Sequence, residues 1–144
     1  MDIGDWRLEV GGELSIVIVN WNVRELLRRC LNSIFQPPTS NLQFEVIVVD
    51  NASSDDSVAM VEKEFPQVRL IANRENLGFT GGNNQGIAAS RGRYVLLLNP
   101  DTEVLGDALA TMVKYMDEHP EVGVVGPQLL NPDGSVQSSR RRFP

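Results

Sequence analysis

Cysteine is nearly absent. Cys30 is the only one in 144 residues, so no disulfide framework braces the chain and a reducing compartment is expected. Its position on the apolar side of a predicted helix reads as that of a small buried hydrophobe. Basic side chains are also in deficit, 13 against 19 acidic ones, for a formal charge of −6. A net negative surface disfavours phosphate polymers and argues against nucleic acid as a partner. The one dense basic cluster is Arg140, Arg141 and Arg142 at the C-terminal end. Near the start, Asp2, Asp5, Arg7 and Glu9 interrupt any apolar run, which excludes a secretory signal or a spanning helix there and points to the cytoplasm.

Repeats and low-complexity tracts are missing too. With 42 % apolar residues, the chain reads as an arm over residues 1–13 followed by one globular domain over residues 14–144. Residues 14–19 (LSIVIV) and 44–49 (FEVIVV) are short, β-branched and nearly all apolar, as strands covered on both faces are. Residues 68–72, 93–98 and 122–125 read as three more strands. Between the first two, Val23, Leu26, Leu27, Cys30, Leu31 and Ile34 recur at helical spacing. Asn22 is expected to cap that helix with Glu25 three positions on, and Pro37 and Pro38 to stop it. Further helices are expected near residues 55–65, 80–90 and 105–119, and a type I turn at residues 131–134. Strands alternating with helices predict an α/β fold, a mainly parallel sheet with helices on both faces.

In a parallel sheet the carboxyl ends of the strands open on one edge, where such folds bind ligands. Asn20, Trp21 and Asn22 follow the first strand and offer an indole between two amides. Asp50 follows the second, where a carboxylate accepts from a ribose hydroxyl or a base N–H; the competing reading is a cap or Asx-turn, a role open also to Asn51, Ser53, Ser54 and Asp55. The fourth strand runs into Asn99, Pro100, Asp101, Thr102 and Glu103. Two carboxylates one residue apart suit Mg²⁺ or Mn²⁺, which take their remaining ligands from water and substrate phosphates; acids at a helix start are the competing reading. Residues 74–86 crowd four glycines and three asparagines ahead of a helix, among them Asn76, Gly78, Asn83 and Asn84. Glycines admit close backbone approach and a helix N-terminus favours anions, although the spacing is neither a dinucleotide fingerprint nor a Walker loop.

Together, residues 16–22 (IVIVNWN), 46–55 (VIVVDNASSD), 75–79 (ENLGF), 83–86 (NNQG), 97–104 (LLNPDTEV) and 129–134 (LLNPDG) resemble the Rossmann-like, nucleotide-binding half of family 2 glycosyltransferases with the GT-A fold, in particular their rhamnosyltransferase-like branch. The resemblance implies an inverting transfer from a nucleoside diphosphate sugar, dTDP-rhamnose or a UDP-sugar, to a carbohydrate or lipid-linked hydroxyl in cell-surface polysaccharide or glycolipid synthesis. It implies Trp21 as the aromatic on the base, Asp50 as the acid at base or ribose, and Asp101 with Glu103 as a variant D-x-D metal motif. Glu103 departs from the family, where Asp is common. The resemblance further implies a catalytic base beyond Pro144, so that this stretch binds donor without transferring sugar. A homodimer through the C-terminal segment and an intact enzyme at the inner face of the membrane complete the expectations. Rival readings are a sugar-phosphate nucleotidyltransferase, which would carry a glycine- and basic-rich loop where Trp21 stands, a non-enzymatic nucleotide-binding domain, and a phosphoacceptor receiver domain, which would need an acidic pair where Asn20, Trp21 and Asn22 stand.

Overall fold

The computed structural model describes residues 12–36 and 41–139. Four strands form, β1 (Leu14–Asn20), β2 (Phe44–Asp50), β3 (Arg69–Ala72) and β4 (Tyr94–Leu97), all parallel, in the order β3-β2-β1-β4. Between and after them lie α1 (Arg24–Phe35), α2 (Ser57–Glu64), α3 (Gly78–Ala89) and α4 (Ala108–Glu118). The chain steps outward from β1 to β3, then returns through α3 to place β4 on the other side of β1. That reversal creates a switch point between β1 and β4.

Period-two alternation divides the sheet between its helices. Leu14, Ile16, Ile18, Val46 and Val48 join Leu27, Cys30, Leu31 and Ile34 of α1, Met60 and Val61 of α2, and Leu109 and Val113 of α4 in one buried cluster. Val17, Val19, Ile47 and Val49 point the other way, towards α3. Helices therefore cover both faces, as the alternation of strands and helices predicts.

The fifth expected strand does not form. Residues 122–125 form no ladder with any described strand, and Val124 is 88 % exposed. Four residues interrupted by Gly123 have neither ladder bonds nor burial to hold them extended. The expected turn does form: the Gly134 N–H donates to the Asn131 carbonyl at 2.9 Å, with Leu130 and Val136 bridged antiparallel. Pro37, Pro38, the arm as far as residue 11 and the Arg140 to Arg142 cluster lie outside the described residues.

Gly82 and Gly86, one turn apart, are the contact surface of α3. A Cβ on Gly82 would stand 2.7 Å from Val19 Cγ1, and one on Gly86 would come closer still to Val17 Cγ1. Alanine would favour the helix by about 1 kcal/mol, but overpacking a filled interface costs about 1–3 kcal/mol. Gly86→Ala is therefore expected to lose up to about 2 kcal/mol net in urea unfolding; raised stability would mean that α3 has room to retreat.

Candidate functional site

The strand register brings two of the expected loops side by side. Asn20 and Asp50 are partners at the ends of β1 and β2, and both side chains are buried. Asn20 Nδ2 donates to Asp50 Oδ1 at 2.8 Å, Ser53 Oγ donates to the same oxygen at 2.7 Å, and the Ser53 N–H donates to Oδ2 at 2.9 Å. Sequence reasoning leaves Asp50 free because other capping residues are plentiful. Here Asp50 is itself the loop's acceptor, since a buried carboxylate needs donors from within the protein. Asn20 Oδ1, also buried, has no donor among the described residues, an unmet acceptor at the switch point.

Asn22 does not cap its own helix. It adopts φ +54°, and its Oδ1 accepts from the Ser54 N–H at 2.7 Å while its own N–H donates to Ser53 Oγ at 2.9 Å. Val23 occupies the cap position and makes no side-chain cap bond. The donors at the helix starts are met instead by Asp55, whose Oδ2 accepts from the Arg24 N–H at 2.8 Å and whose Oδ1 accepts from the Ser57 N–H at 3.1 Å. One carboxylate thus serves both α1 and α2. Asn22, Ala52 and Asp56 all have positive φ, so three non-glycine residues in these facing loops hold a conformation that needs surrounding support. Trp21 projects from between them with 56 % exposure.

On the α3 side, Asn51 is buried, donates to the Gly78 carbonyl at 3.0 Å and accepts from Asn73 Nδ2 at 3.0 Å. Asn73 and Gln85 exchange two further bonds of 2.7 and 2.9 Å. Sequence reasoning passes over Asn73 and Gln85 and treats Asn51 only as a capping candidate. The available signal is an amide at the end of each of two adjacent strands. Gly78 has φ +76° with open space where a Cβ would stand, and its N–H donates to Asn76 Oδ1 at 2.8 Å. Asn83 is buried and donates back to the Phe79 carbonyl, whereas Asn84 is exposed. Of the glycines read as a ligand cradle, Gly82 and Gly86 meet the sheet.

Across the switch point, Asp101 is exposed and takes part in no salt bridge among the described residues. It lies four residues past the end of β4 on one side of β1, whereas Asp50 ends β2 on the other side. Glu103 is instead paired with Arg29 of α1 at 2.5 Å. No group of three His, Cys, Asp or Glu side chains able to hold a metal occurs among the described residues. Two carboxylates do match the chemistry of Mg²⁺, which is commonly held by one or two of them together with substrate phosphates. Beneath the loop, Cys30 Sγ lies 3.9 Å from the Asn99 carbonyl, and burial first, with Asp101 and Glu103 adding to it, pushes the thiol up to about 11. An inert, structural thiol is the reading that sequence alone suggests.

Burial raises the Asp55 carboxyl, but donation from Ser57 and the Arg24 N–H outweighs it and holds the group below the usual range. Its contribution is therefore complete above the unfolded value of about 3.9 and is lost as pH falls through the lower folded value. Asp55→Ala is expected to cost about 2 kcal/mol at pH 7, a large capping effect because two helices lose a partner. Urea unfolding should show the gap to wild type shrinking in acid; a gap that is constant with pH would contradict this.

The family profile described as glycosyl transferase family 2 matches residues 15–144. The succinoglycan biosynthesis protein ExoO of Rhizobium meliloti is 34 % identical over 73 % of this chain and 30 % of its own length. An N-acetylglucosaminyl-diphospho-decaprenol L-rhamnosyltransferase of Mycobacterium tuberculosis is 28 % identical over 91 % of this chain and 46 % of its own. The crystal structure of S. aureus TarS 1–349 in complex with UDP superposes with a TM-score of 0.64 at 26 % identity, covering 75 % of this chain and 33 % of that one. The chain thus spans less than half the length of each. With its profile match extending over nearly the whole domain and its parallel sheet reversing between β1 and β4, this chain belongs to glycosyl transferase family 2.

Proposed function

We propose that the chain is the donor-binding part of an inverting glycosyltransferase that takes a sugar from a nucleoside diphosphate, dTDP-rhamnose or a UDP-sugar, and passes it to a hydroxyl of a carbohydrate or lipid-linked acceptor in polysaccharide or glycolipid synthesis. The observation that carries this reading is the pairing of an exposed indole, Trp21, with an exposed carboxylate, Asp101, on either side of the switch point. An aromatic face takes a nucleobase of any kind by stacking. Asn20 and Asp50 lie buried beneath it, and the unmet acceptor of Asn20 marks where a base or ribose donor would have to enter. The first turn of α3 beyond Gly78, whose own N–H is taken by Asn76, offers backbone N–H groups at the same edge, as suits an anion. Asn76, Asn83 and Asn84 belong to this reading through that segment alone.

Asp101 is the residue we assign to Mg²⁺ or Mn²⁺, and the ion, when bound, neutralises charge that develops on the departing diphosphate. With so few protein ligands, ion and nucleotide are expected to bind together. The relatives support the substrate classes: one is named for rhamnosyl transfer to a lipid-linked sugar, and TarS was crystallised with UDP. None of the described residues is assigned as the base that takes the acceptor's proton.

Calorimetric titration of the chain with dTDP, UDP and GDP, each with and without Mn²⁺, tests the proposal. Affinity for dTDP or UDP should rise with Mn²⁺, Asp101→Ala should remove that rise, and Trp21→Ala should weaken binding by about 1–3 kcal/mol. A chain that binds none of the three diphosphates, or binds them identically with and without metal, would refute it.

A further inference from the structure

The paired acids after β4 are not equivalent. Among the described residues Asp101 pairs with no basic side chain, while Glu103 is already matched to Arg29. Glu103 also lies between two fastened residues. On one side the Thr102 N–H and Oγ1 both donate to the Asn99 carbonyl, at 3.2 and 2.7 Å. On the other the Val104 N–H donates to Ser33 Oγ at 2.8 Å, and Ser33 Oγ in turn donates to the Cys30 carbonyl at 2.6 Å. Arg29, Ser33 and Cys30, whose Sγ meets the Asn99 carbonyl, all belong to α1, so one helix holds the loop at three points.

Drawing Glu103 to a dication would leave the Arg29 guanidinium unmatched beside a second positive charge. Mg²⁺ needs no such move, because one carboxylate, water and a diphosphate complete its octahedron. We propose that Glu103 is a positioning residue and not a metal ligand: paired with Arg29, it ties the acidic loop to α1 so that Asp101 alone presents its carboxylate to the ion. This deepens the donor-binding reading and rests on it for the metal; the holding of the loop does not depend on it.

The pair can be reversed, which a ligand cannot. Mn²⁺ binding in the presence of UDP, followed by electron paramagnetic resonance, is to be compared in wild type, Asp101→Asn, Glu103→Arg, and the double variant Arg29→Glu with Glu103→Arg. Backbone hydrogen exchange at Val104 is measured on the same proteins. Asp101→Asn should weaken Mn²⁺ by roughly tenfold or more; Glu103→Arg, which loses an exposed pair, should weaken it by about threefold to fivefold, and the double variant should return close to wild type. A double variant as weak as Asp101→Asn would make Glu103 a ligand, and a Glu103→Arg protein that binds as wild type would deny it any role; either overturns the proposal. Should wild type bind no Mn²⁺ with UDP, the donor reading fails, and Val104 exchange decides the positioning: protection lost in Glu103→Arg and regained in the double variant supports it, and protection unchanged in the single variant overturns it.

Discussion

A carboxylate almost wholly shut off from water at the end of a parallel strand sets the terms for everything around it. Asp50 has to collect hydrogen-bond donors from protein, and it finds them in the neighbouring strand end and its own loop. To deliver Ser53 to that carboxylate the loop after β2 folds back against the loop after β1, and Asn22 and Ala52 enter left-handed backbone to permit it. What remains outside this laced layer is Trp21. Its exposure follows from the polar side chains around it having turned inward to one another.

The acidic loop is held from a different quarter. It meets α1 through Arg29, Cys30 and Ser33, while the first two loops reach the start of the same helix through Asp55. The helix between β1 and β2 therefore joins the two sides of the switch point, its first turn bound to one and its middle to the other. An isolated exposed ion pair contributes little, commonly under about 1 kcal/mol. The half-buried Ser33 relay at the adjacent Val104 shares the anchorage with it.

Sequence made the strands legible where burial on both faces selects one kind of residue. The β-branched runs of β1 and β2 leave little else to read, and the apolar spacing of α1 names Leu27, Cys30, Leu31 and Ile34, which are buried, together with Leu26, which is exposed. Ligation partners were less legible, because they come from afar. A capping window around Asn22 contains Glu25 but not Asp55, 31 positions from the Arg24 amide it serves. Likewise a D-x-E pair looks like one chelating unit until Arg29, 74 positions away, is seen on one half of it. Residues 122–125 failed as a strand for a related reason: apolar character proposes a strand, and only a neighbour makes one.

The two glycines of α3 bear on how this edge can move. Each admits a valine of β1 where a side chain would otherwise stand, so helix and strand interlock like a key in a notched shaft, and sliding by even one residue would drive Cβ atoms into the sheet. The Asn51, Asn73 and Gln85 amides are attached to that assembly. Any adjustment to an incoming molecule must then be borne by the loops alone, and the floor beneath them behaves as a fixed template.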